Sequence, residues 1–155
     1  MEERKKIVGE VKINEKLFSD IALNVKSVDS FKEAFEKSLS GETSNILEVI
    51  LSSSINLSCS DVHIETEEES VKLRIRVDGI LQDISSFEYK VFDSLLSRIK
   101  LLSGIKLNIR EKSQDGRFSC VFPSIQSEKG KITFKGEDYM EIRTSTLPSE
   151  YGESV

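Results

Sequence analysis

The stretch Val71-Lys72-Leu73-Arg74-Ile75-Arg76-Val77-Asp78-Gly79-Ile80 decides how this chain folds. Up to Val77 its odd positions are apolar and its even positions charged. That period of two puts one face of a β-strand on a core and the other in water. Asp78-Gly79 supplies the two residues that a type I′ turn needs, so a hairpin leads into a further strand, Ile80 to Ile84. Just upstream, Asp61-Val62-His63-Ile64-Glu65-Thr66-Glu67 alternates with the opposite parity, its even positions facing the core. An antiparallel register between these strands must pair odd with even positions to keep both apolar faces together. One allowed register sets Glu65 opposite Arg74 and His63 opposite Arg76, an acidic strand against a basic one.

Outward from this hairpin the period becomes helical. Val91, Phe92, Leu95, Leu96, Ile99 and Leu102 predict a helix over about 88–103 with Lys90, Asp93, Ser97 and Lys100 outside. Gly104 stands where a helix of that length would be capped. On the other side, Ile46, Val49, Ile50 and Ile55 predict a helix from Thr43 or Ser44; Ser52 to Ser54 weaken it, so it depends on packing. Phe31, Ala34, Phe35 and Leu39 predict an earlier one, with Ser30-x-x-Glu33 as capping box and Gly41 as its end. Val11 to Ile13 and Leu17-Phe18 suggest short extended or helical pieces. Strands are expected at Arg117–Val121, Lys131–Phe134 and Tyr139–Thr144, the first two joined by a polar loop through Glu128-Lys129-Gly130. Pro148 and Gly152 break regular structure after them. The expected class is α+β, a mostly antiparallel sheet with helices packed on one face. Residues 1–42 read as an extension or linker with a short helix, and residues 43–155 as one domain.

Composition excludes several function classes. The chain has 155 residues, 37% hydrophobic and 32% charged, which suits one core-bearing domain. No apolar run nears the ~20 residues that span a bilayer, and the charged start, Met1 to Lys6, does not resemble a signal peptide; a cytoplasmic setting is expected. Cys59, Cys120 and the single His63 cannot build a four-ligand zinc site. Net charge is −5, yet residues 71–117 carry 10 positive against 6 negative side chains. A basic middle in an acidic protein points to a local anionic partner rather than to nucleic acid. No nucleophile–base pair or carboxylate pair stands out, so a free-standing enzyme is not expected.

Five short blocks follow in order: Ser60-Asp61-Val62-His63-Ile64-Glu65; Arg74-Ile75-Arg76-Val77-Asp78-Gly79; Ser97-Arg98-Ile99-Lys100 with Gly104; Gln114-Asp115-Gly116-Arg117; and Arg143-Thr144-Ser145-Thr146-Leu147-Pro148 with Gly152-Glu153. Each alone is weak. In this order and spacing residues 44–155 resemble the type II secretion and type IV pilus assembly ATPases. The chain departs from the family pattern at Thr66, where proline is usual, at the approach to Gln114, and in a longer segment over 123–138.

The resemblance implies a PAS-like domain that precedes a RecA-like motor in a cytoplasmic homohexamer attached to the inner membrane through platform proteins. No G-x-x-x-x-G-K-[ST] occurs in this sequence. ATP and magnesium are therefore expected only in a longer protein, and no catalysis from this chain alone. The resemblance further implies that Arg143 approaches the nucleotide phosphates. Arg143 also ends an alternating strand and precedes a turn, a place that projects a charge. Arg117 follows the tight Asp115-Gly116 turn and is the second candidate. Arg98 and Arg110 are candidates for lining a cleft between domains, while Arg74 and Arg76 suit cross-strand pairs or a neighbouring subunit. For each arginine the competing reading is a salt bridge within the domain. His63 suits a structural hydrogen bond better than proton transfer. The alternative function is a stand-alone PAS-like module that binds a ligand or protein, with a hollow apolar pocket of a few hundred Å³.

Overall fold

The computed structural model describes residues 9–128 and 131–155; the charged segment Met1 to Lys6 and the Lys129-Gly130 link lie outside them. The order is β1 (Glu10–Lys12), α1 (Glu15–Asn24), α2 (Val28–Ser38), α3 (Thr43–Asn56), β2 (Asp61–Thr66), β3 (Val71–Val77), β4 (Ile80–Phe87), α4 (Tyr89–Ser103), β5 (Gln114–Glu128), β6 (Lys131–Ser149) and β7 (Gly152–Ser154). The class is α+β. The strands, expected in one sheet, divide into two: β2-β3-β4 and β1-β5-β6-β7. All ladders are antiparallel except β1 with β5.

The central hairpin forms because Asp78 and Gly79 both take positive φ, 51° and 78°, the conformation of a type I′ turn. Val71, Leu73 and Ile75 are fully buried on one face of β3. The β2–β3 parity is odd with even, but the register differs by two residues from the one expected: Asp61 faces Arg76, His63 faces Arg74 and Glu65 faces Lys72. Glu65 still reaches Arg74 diagonally at 3.5 Å. Both alignments keep the apolar faces together, so alternation alone could not choose between them.

The cap of helix α2 lies three residues before the expected one. Ser27 accepts from the Ser30 backbone while the Ser30 hydroxyl accepts from the Ser27 backbone, a capping box made of two serines rather than Ser30 and Glu33. The side chains of β1, α1 and α2 join the same buried cluster as the rest: Val11, Phe18, Phe31 and Phe35 pack with Leu73 and Leu95. The contacts therefore run across the 42/43 boundary expected from sequence. Strand β6 is continuous where two strands were expected, because an irregularity opposite Pro123–Ile125 absorbs residues 135–136, with Gly136 at φ 94°. Pro148 lies within β6, and the short β7 returns along its end.

Helix α4 ends at Gly104 in the left-handed conformation and lies tightly on β5. A Cβ on Gly116 would sit 2.3 Å from the Ser103 carbonyl oxygen. Glycine at 116 thus sets how closely the helix end approaches the sheet.

Candidate functional site

Along β5 and β6 the alternation sorts side chains onto two faces. Phe118, Cys120, Thr144 and Thr146 are buried beneath α4 and the core. Arg117 and Arg143 are exposed on the opposite face and are direct cross-strand partners, which sets their Cα atoms about 5 Å apart. The Arg117 guanidinium reaches Glu141 Oε1 at 3.3 Å, across the strand. Among the described residues Arg143 has no ion-pair partner. Two ladder positions along, on the same face, Ser145 donates to Asp115 at 2.7 Å. The result is two adjacent cations on an open strand face, one of them half-neutralised.

The other arginines are placed differently. Arg74 is held by Asp83 at 2.8 Å and Glu65 at 3.5 Å, and Arg76 by Asp61 at 3.2 Å and the Gly79 carbonyl at 3.3 Å. Both sit in charge ladders across β2-β3-β4. Arg98 is exposed on α4 and Arg110 in the connection before β5; neither is brought near Arg143 by the strand ladder. His63 Nε2 bonds Asp61 Oδ1. The Ser60 hydroxyl, donating at 2.7 Å, holds the Asp61 carboxyl below its ordinary range, helped by His63 and Arg76 against partial burial.

The largest departure from expectation is Lys100. Placed outside on the helix by its charge, it is only 2% exposed. Its ammonium donates to Glu153 Oε1 at 2.7 Å and to the Ile109 carbonyl at 3.4 Å. The pair ties α4 to β7 and to the connection that carries Arg110. Phe92, Leu96 and Lys100 recur every four residues, so the stripe itself carried the signal; reading Lys100 by residue type hid it. The pair floors an open groove of about 560 Å³ between α4, the 105–113 connection and the β6–β7 turn. Tyr89 and Tyr151 stand on its wall, and neither was singled out from sequence.

Among the described residues no group of three or more His, Cys, Asp or Glu side chains could hold a metal ion, and no helix is long and apolar enough to cross a membrane.

The model of the type II/IV secretion system protein family matches residues 36–155. The chain belongs to that family. It is 35% identical over 108 residues to a putative type II secretion system protein E of Escherichia coli K12, covering 70% of this chain and 19% of that protein. It is also 35% identical over 112 residues to the type II secretion system ATPase E of Vibrio cholerae, covering 71% and 19%. The type IV pilus assembly ATPase PilB of Myxococcus xanthus matches at 26% over 136 residues, 88% of this chain and 22% of that protein. The chain thus spans about a fifth of the length of these relatives. The five sequence blocks fall on β2, β3 with its turn, α4, β5 and the paired ends of β6 and β7.

Proposed function

We propose that this chain is the part of a hexameric secretion or pilus-assembly ATPase that precedes the motor, and that Arg143, flanked by Arg117, meets the phosphates of ATP bound to the motor. The observation that carries the reading is Arg143 itself: an exposed cation, without an ion-pair partner among the described residues, beside a second arginine on one face. Like charges directly opposite on a sheet are unfavourable, so an incoming anion would relieve that repulsion. A guanidinium stays charged and presents a planar fork to phosphate oxygens. Charge grows on the transferred phosphoryl group during hydrolysis, and a cation delivered there by another domain speeds the reaction only when that domain is docked. Domain position and turnover are then linked.

In this reading the chain contributes no phosphate loop and no magnesium donor set; both belong to the motor. Its partners are that motor, the neighbouring subunits of the ring and the inner-membrane platform, and it works in the cytoplasm. Arg98 and Arg110 remain candidates for the surfaces between domains, and Arg74 and Arg76 for a subunit contact made through their ladders.

The second reading, a stand-alone binding module, is favoured by the 560 Å³ groove. That groove is open and carries charge, unlike the hollow apolar chamber expected of a ligand sensor. Sequencing the encoding gene past Val155 separates the two. A strand, G-x-x-x-x-G-K-[ST] and helix in the following sequence supports the motor reading; a stop codon overturns it in favour of the module.

A further inference from the structure

On the side of β5 and β6 away from the two arginines, the groove beneath α4 has a floor that its own residues leave incomplete. Glu153 lines it with a side chain 5% exposed. Lys100 occupies Oε1, while Oε2 is buried without a hydrogen-bond partner among the described residues. Buried carboxylate oxygens are nearly always paired, and leaving one bare is costly. Lys100 is already engaged with Glu153 and with the Ile109 carbonyl. No other described residue donates to Oε2.

The walls say what kind of donor fits. Asp93 and Glu111 add negative charge at the rim, against Arg110 as the one cation besides Lys100 among the described residues of the groove. At the other end burial, then Glu67, Tyr151 and Asp93, push the Tyr89 phenol up. Apolar surface is supplied by Leu96, Leu107 and Pro148, with Leu107 43% exposed and Tyr151 44%. Aromatic faces with carboxylates nearby favour a cation on an apolar stem.

We propose that this groove binds a segment of a partner protein that inserts an arginine or lysine side chain between apolar neighbours, its head group donating to Glu153 and Asp93. Guanidinium or ammonium completes the floor, the stem lies against Leu96 and Leu107, and Tyr151 covers it. The site is separate from the arginine face, so it does not depend on the nucleotide reading.

The test is an amide-resolved NMR titration of the 155-residue chain with acetyl-Leu-Arg-Leu-amide, and with acetyl-Leu-Glu-Leu-amide as comparison. The arginine peptide should shift the amides of Lys100, Leu107 and Tyr151 saturably, and the glutamate peptide should not. Asp93→Asn and Glu153→Gln should each weaken binding by about tenfold. Asp93 is exposed, so its variant remains informative should the Glu153 variant fail to fold. Equal response to both peptides, no shift at the groove, or unchanged affinity in the folded Asp93→Asn variant would overturn the proposal.

Discussion

Lys100 and Glu153 form a buried ion pair, 2.7 Å between Nζ and Oε1, across the junction of α4 and β7. Two charges removed from water regain that cost through their mutual contact and the hydrogen bonds around them. Lys100→Met should therefore destabilise the chain by about 3–5 kcal/mol, because Glu153 is left buried and unpaired. Lys100→Met combined with Glu153→Met should recover most of that loss, since an apolar pair leaves no buried charge. Urea denaturation of the three proteins measures both. A double variant no better than the single one would show that the pair's geometry, not its charge, holds the junction.

Gly116 sets the distance between α4 and β5. Its missing side chain lets the Ser103 carbonyl approach to where a Cβ would be 2.3 Å away. Gly116→Ala must push backbone apart and should cost about 1–3 kcal/mol, the range for overpacking. Gly79→Ala meets no neighbour and carries only the strain of a positive φ, about 1 kcal/mol. Thermal melts that rank Gly79→Ala as the more damaging would contradict the close-approach account.

Much of the architecture was legible because it rests on local rules. The Asp78-Gly79 turn, the alternation of β3 and the α4 stripe closed by Gly104 needed nothing beyond neighbours in sequence. The β2–β3 register was not legible, since shifting it by two preserves both apolar faces. The stripe placed Lys100 on the buried side, but not its partner Glu153, which arrives from 53 residues away. The side-by-side placement of Arg117 and Arg143 follows from the β5–β6 ladder, a long-range fact that motif spacing does not contain.

Acid should act partly through Asp61. The Ser60 hydroxyl, with His63 and Arg76, holds its folded pKa below the ordinary value. A depressed carboxyl contributes stability that is present above its unfolded pKa, about 3.9, and lost as pH falls through the folded value. The side chain is 40% exposed, so solvent screening keeps the effect small. Stability measured from pH about 5 downward should fall less steeply in Asp61→Asn than in the natural chain. Parallel acid limbs would remove Asp61 from the account.

The two thiols should differ in reactivity. Burial, with Glu48 adding a smaller push, raises Cys120 to about 12. At pH 8 its thiolate fraction is then about 10⁻⁴, against about a quarter for a free thiol. Cys59 is half-buried and also raised, chiefly by burial. An aromatic disulfide reagent should label Cys59 slowly and Cys120 more slowly still in the native chain, and both rapidly in urea. Native Cys120 labelling at the unfolded rate would contradict the packing of β5 against the core.

The most direct test of the central claim is the ATP hydrolysis rate of the motor-bearing protein that the proposal calls for, carrying Arg143→Ala, with assembly verified alongside. Loss of a cation that meets the transferred phosphoryl group predicts a fall of about 10³-fold. Unchanged turnover in an intact ring would contradict the assignment of Arg143 to the ATP phosphates.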